Sequence, residues 1–138
     1  MRIMAVDYGK KRVGIALTDP SGIISQPFLT IQVKSQKSLL RKIITIINEN
    51  SVGLMLIGNP LSHKGKATEM SSEIERFVKR LKEKTDIEIK LWDERFTSQY
   101  AANMLRAMNI KKKSGDVDQI AASIMLAEFL RSTSSCAT

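Results

Sequence analysis

Three stretches of this chain place carboxylates where packing alone gives no reason for them. Asp7 ends the apolar run "RIMAVD", the pair Asp93-Glu94 follows "IEIKLW", and Asp118 opens the otherwise apolar "VDQIAASIMLAEFL". An acid at the end of a buried strand is costly to desolvate, so Asp7 is expected to serve a function rather than to cap a hairpin. Acids drawn into one cleft repel unless a cation sits among them, and oxygen-only donors select a hard ion, Mg²⁺ or Mn²⁺. Two such ions about 4 Å apart activate a water and stabilise the leaving oxygen of an in-line displacement at phosphorus. The chemistry expected of these acids is therefore phosphodiester hydrolysis.

The cations fit the same reading. Lys10, Lys11 and Arg12 follow Asp7 directly, with Gly9 leaving room for close backbone approach, and Lys64, Lys66 and Arg95 lie near the other acids or in the loop "NPLSHKGK". These six are the expected nucleic-acid contacts. Between the adjacent acids, Glu94 is favoured as the ligand and Asp93 is the alternative. In "GDVDQI", Asp116 with Gln119 three residues on has the capping-box pattern and is expected to be the helix N-cap. Asp118 falls in the first turn, where the helix dipole favours an anion. The single histidine, His63, sits in a polar loop and reads as a solvated residue.

Composition narrows the partners. Over 138 residues, 22 Lys plus Arg oppose 14 Asp plus Glu, a net charge of +8. Such a balance favours polyanions, since each phosphate neutralised releases a condensed counterion. No apolar run of about 18 residues is present to span a membrane, and Asp7 interrupts the N-terminal apolar stretch too early for a secretory signal. The expected location is the cytoplasm. One cysteine, Cys136, allows neither a disulfide framework nor a thiolate metal site.

These side chains need elements to hold them. The run 2–7 suits a central strand, "RVGIALTD" alternates as a second, and "DPSG" at 19–22 matches a type I turn. Pro27 in "IISQPFLTIQV" predicts an edge position or a bulge for the third strand. Apolar spacing predicts helices over 36–50, 67–84, 98–109 and 117–131, and strands at 52–58 and through "DIEIKLW". The result is one α/β domain over 1–131 with a five-stranded mixed sheet and helices on both faces, expected as a monomer or weak homodimer. Residues 132–138 are predicted to be a disordered tail. If the first and fifth strands are parallel neighbours, Asp7 and Asp93-Glu94 meet at one sheet edge and the final helix brings Asp118 over them.

"AVDYGKKRVGIALTD", "DERFTS" and "KKKSGDVDQIAASIML" occur in the order of three motifs of the YqgF/RuvX family, and the chain resembles that family from residue 1 to about 131. "IGNP" departs from the family's usual Gly-Leu-Pro through Asn59. The resemblance implies an RNase H-like fold similar to Holliday junction resolvases, with the family's acidic residues falling on Asp7, Glu94 and Asp118. It further implies a Mg²⁺- or Mn²⁺-dependent nuclease acting on structured RNA, trimming the 5′ end of precursor 16S rRNA within pre-ribosomal particles. Branched DNA is the alternative substrate, and a non-catalytic nucleic-acid-binding protein of the same fold the alternative class. "DYGKKRVGIA" is also similar to the first phosphate loop of actin-like ATPases, which need two related domains.

Overall fold

Alternation and burial sort the strands into central and edge positions. In the computed structural model, which describes residues 1–59, 68–93 and 114–137 except the side chains of 114–116 and 134–137, the sheet order is β3-β2-β1-β4-β5. The strands are β1 (Arg2–Asp7), β2 (Arg12–Thr18), β3 (Ser25–Gln32), β4 (Val52–Asn59) and β5 (Glu88–Asp93). The first three pair antiparallel, while β4 runs parallel to both β1 and β5. β1 and β4 carry near-continuous apolar runs and are buried on both faces. β3, with Pro27, takes an edge, and its register shifts where Ala16 meets Pro27. The turn at 19–22 closes through the Gly22 N–H, which donates to the Asp19 carbonyl at 2.9 Å, with Gly22 at φ +78.

β1 and β5 are not neighbours. The expected contact between them is replaced by β4, whose residues "LMLI" need cover on both faces, whereas the charged alternation of β5, "EIKLWD", suits an edge. Because all three run parallel, their carboxyl ends still share one sheet edge.

Helices α1 (Gln36–Glu49) and α2 (Glu69–Lys82) cover one face, and α3 (Ser114–Ala137) covers the other. α1 starts where the Ser35 hydroxyl accepts from the Ser38 N–H, and α2 starts in a reciprocal box between Thr68 and Ser71. On the α1/α2 face, Met4, Val6, Ile15, Leu39, Ile43, Met55, Ile57, Phe77 and Leu81 form the larger core. On the α3 face, Ile3, Ala5, Ala16, Leu54 and Leu56 meet Ala122, Met125, Leu126 and Phe129.

α3 departs from expectation at both ends. It begins at Ser114, so Asp116 lies inside the helix rather than at its N-cap. It continues through Ala137, so the tail predicted to be disordered is helical up to that residue. Hydroxyls there turn back on the helix: Ser132 donates to the Phe129 carbonyl at 2.9 Å and Thr133 to that of Leu130 at 3.0 Å. Such bonds supply the polar partner that Ser and Thr otherwise seek outside a helix. The predicted helix at 98–109 lies outside the described residues.

Candidate active site

The edge formed by the carboxyl ends of β1, β3, β4 and β5 also receives the N-termini of all three described helices. Each is tied to the β1–β2 hairpin by a contact of its own. At α1, the Gln36 amide donates to the Tyr8 hydroxyl at 3.0 Å. At α2, Lys10 Nζ lies 3.9 Å from Glu69 Oε1. At α3, the approach is backbone on backbone: a Cβ built on Gly14 would stand 2.0 Å from the Asp118 carbonyl oxygen and 2.8 Å from the Gln119 nitrogen. Three helix N-termini aimed at one edge give it a positive backbone field that favours anions.

Gly14 brings two of the predicted acids together. It is the direct antiparallel partner of Asp7, as Ala16 is of Ala5. Directly opposed residues present their side chains on the same face with Cβ atoms about 5 Å apart. Ile3 and Ala5 face α3, so the pleat turns Asp7 to that face as well. With no side chain at Gly14, the first turn of α3 settles onto β2 and carries Asp118 alongside Asp7. A glycine inside an alternating strand signals such an approach, and reading the acids alone overlooks it.

Asp7 itself is held firmly. Its successor Tyr8 is buried on the opposite face, its ring tilted against that of Phe77 at 5.2 Å and its hydroxyl bonded to Gln36. Burial raises the Tyr8 phenol above its usual range, with the negative charge of Glu73 adding to the rise, and the Gln36 bond opposes it. The ring stays neutral and works as an anchor.

Asp118 has a cation of its own. Arg12 Nε donates to Asp118 Oδ2 at 2.7 Å, and the two side chains are 39% and 22% exposed. Arg12, predicted to face substrate, is thus turned inward onto a predicted metal ligand. Lys10 and Lys11 remain exposed at the hairpin tip. Gly9, expected to admit a ligand, is closed by the chain itself, since a Cβ there would stand 2.5 Å from the Arg12 carbonyl oxygen.

Asp93 pairs with Asn59, in the alternation of Ile57 and Ile89, which places it on the α1/α2 face, away from Asp7. The face of Asp7 is met on β5 by Trp92, packed edge-on against Phe129 at 5.8 Å. Glu94, Arg95, His63, Lys64 and Lys66 lie outside the described residues. Among the described residues no three acidic, His or Cys side chains converge to hold a metal ion; what the structure shows is the Arg12–Asp118 ion pair at the first turn of α3, whose backbone rests on Gly14, the strand partner of Asp7. Also among the described residues, no helix is long and apolar enough to cross a membrane.

Known proteins share this framework. The profile of a family described as "RuvX: Holliday junction resolvase" matches residues 1–132. A protein of Thermoanaerobacter pseudethanolicus named "Putative pre-16S rRNA nuclease" is 38% identical, the match covering 96% of this chain and 97% of that one. One of the same name from Roseiflexus sp. is 35% identical, covering 95% and 94%. Among solved structures, Thermus thermophilus RuvC superposes with a TM-score of 0.62 at 9% identity, over 96% of this chain and 97% of that one. The fowlpox virus Holliday junction resolvase gives 0.59 at 18%, over 96% and 99%. At such identities the likeness is one of fold, RNase H-like in both cases. Motif order, sheet topology and a match over nearly the whole length agree: the chain belongs to the RuvX family.

Proposed function

We propose that this protein is a metal-dependent nuclease that hydrolyses phosphodiester bonds in structured RNA, trimming precursor 16S rRNA during ribosome assembly in the cytoplasm. The observation that carries the reading is the seating of Asp118 beside Asp7 across Gly14 at the carboxyl edge of the sheet. The names of the relatives at 35–38% identity support the choice of RNA.

The donor chemistry fits a hard divalent cation: carboxylate oxygens from two elements, and no thiolate or imidazole among the described neighbours. Asp7, Glu94 and Asp118 would hold it, with Glu94 favoured over Asp93 because the pleat turns Asp93 to the other face. When bound, such an ion polarises a phosphoryl oxygen and lowers the pKa of a bound water. The chain's own contribution is position. β1 fixes Asp7 between two paired strands, α3 fixes Asp118, and Lys10 and Lys11 stand at the hairpin tip to take phosphates on either side of the scissile bond. Those contacts set register and carry no base sequence, which suits recognition by shape. We place Lys64, Lys66 and Arg95 in the same role.

A second reading, cleavage of four-way DNA junctions, is favoured by the family's description and by the shared fold of Thermus thermophilus RuvC, whose structure is known with a Holliday junction substrate. The deciding experiment is a cleavage assay in Mg²⁺ and in Mn²⁺ on precursor 16S rRNA and on a four-way DNA junction. Cleavage of the rRNA near its mature end, lost in Asp7→Asn, is the expected result. Cutting of the junction alone would establish the second reading, and cutting of neither would overturn both.

A further inference from the structure

Arg12 and Asp118 are each suited to a partner from outside the chain, and in the structure each is given to the other. The contact is short and charge-assisted, Nε to Oδ2 at 2.7 Å, and joins residues 106 positions apart. An arginine is charged at every working pH. A guanidinium on that oxygen therefore occupies the electrostatic place that a divalent cation would take. Both cannot sit against one carboxylate oxygen without repelling each other.

The geometry points to Arg12 as an internal counter-ion that competes with the divalent cation for Asp118 and, once displaced, turns to a substrate phosphate. The inference rests on the proposed metal site. Three observations support it. Arg12 opens β2 at the active edge, and its backbone is pinned by pairing with Gln32, so exchange of partners needs only the side chain to swing. Its side chain is 39% exposed, enough to reach solvent-side phosphate without repacking the core. Among the hairpin's described cations Arg12 is the one held against a predicted metal ligand, for Lys10 lies 3.9 Å from Glu69 and Lys11 is exposed at the tip.

The arrangement would stabilise Asp118 before metal arrives, when the neighbouring Asp7 carboxylate repels it. It would also link two binding events. A cation that frees Arg12 raises affinity for the polyanion, and by reciprocity the polyanion raises affinity for the cation. An idle site would then be held closed by its own arginine until both have arrived.

The competing account is a structural latch, in which Arg12 only ties the first turn of α3 to β2. The two accounts give opposite signs for metal affinity. Calorimetric titration of Mn²⁺ into the wild-type protein, Arg12→Gln, Arg12→Lys and Asp7→Asn, with melting curves of each metal-free protein, separates them. The expected result is Mn²⁺ bound roughly fivefold more tightly by Arg12→Gln, the scale of one partly exposed ion pair. Its metal-free melting temperature should fall slightly. Arg12→Lys keeps the competing charge and should stay close to wild type. Affinity unchanged or weakened in Arg12→Gln, while the wild type binds Mn²⁺ through Asp7, overturns the inference and leaves the metal site standing. Absence of Mn²⁺ binding in wild type and Arg12→Gln alike overturns the metal site and this inference with it.

Discussion

The two faces of the sheet are built from different residues for different ends. Toward α1 and α2 the strands present Met4, Val6, Ile15, Met55 and Ile57, large side chains that interdigitate with Leu39, Ile43 and Phe77. Toward α3 the large residues Ile3, Leu54 and Leu56 meet Met125, Leu126 and Phe129, but β2 and its neighbour β1 also present Ala5, Ala16 and Gly14, and the helix adds Ala122. Large residues hold helices at a distance and bury area; small ones let backbones touch. Among the described residues the first face buries the larger apolar cluster, while the second seats the backbone of Asp118 directly on Gly14. Stability and positioning are separated across one sheet, and substitutions on the two faces should fail differently.

The largest loss of stability belongs to the α1/α2 face. Phe77→Ala empties a site that is 1% exposed and should cost about 4 kcal/mol, lowering the melting temperature by roughly 15 °C. Measured well below that midpoint, Mn²⁺ affinity should match wild type. A parallel loss of metal binding would show that the faces are not separable.

Gly14→Ala sharpens the contrast from the other side. Its methyl group would strike the backbone of Asp118 rather than a yielding side chain, so α3 must lift from β2. A cost of about 3 kcal/mol is expected, and, unlike Phe77→Ala, Mn²⁺ binding should be lost even far below the melting point. A variant that melts and binds like wild type would refute the close approach.

Asp7→Asn tests the site alone. It keeps the shape of the strand end and removes one charge, so Mn²⁺-dependent cleavage should fall by about 100-fold or more, as when a metal's support is removed. The metal-free melting temperature should hold or rise as repulsion with Asp118 eases. A large drop in that temperature would make Asp7 a structural residue.

The smallest effect lies far from both faces, in the β2–β3 turn. The Asp19 carboxylate is held well below its ordinary range, first by the backbone N–H of Ile24, then by the Ser21 hydroxyl and the N–H of Ile23. A depressed value means that the turn's contribution is complete above the unfolded pKa, about 3.9. It is lost as pH falls through the lower folded value. Melting temperatures of wild type and Asp19→Asn should therefore differ at pH 6 and converge toward pH 2. Curves that stay parallel would show that the turn's bonds do not depend on the charge.

Residue pattern alone is enough for most of the framework. Alternation and apolar runs set the five strands, helical spacing sets α1 and α2 to within two or three residues, and Pro27 marks an edge and a bulge before any coordinate is known, because each of these is a property of neighbouring residues. The carboxylates Asp7 and Asp118 stand out for the same reason, as acids against an apolar local background. Legibility ends where residues distant in the chain compete for one place. That β4 separates β1 from β5 follows from which strand most needs burial on two faces, a comparison among strands. That α3 continues through Ala137, with the Ser132 and Thr133 hydroxyls bonded back to its own carbonyls, is not visible in a composition that suggests a loose tail. Gly14 carries no chemistry of its own and acquires its role only from the helix that lands on it 104 positions later. The partner of Arg12 is likewise a matter of assembly: a cation beside an acid motif is equally suited to phosphate or carboxylate, and only the folded chain, by bringing Asp118 within 2.7 Å, decides between them.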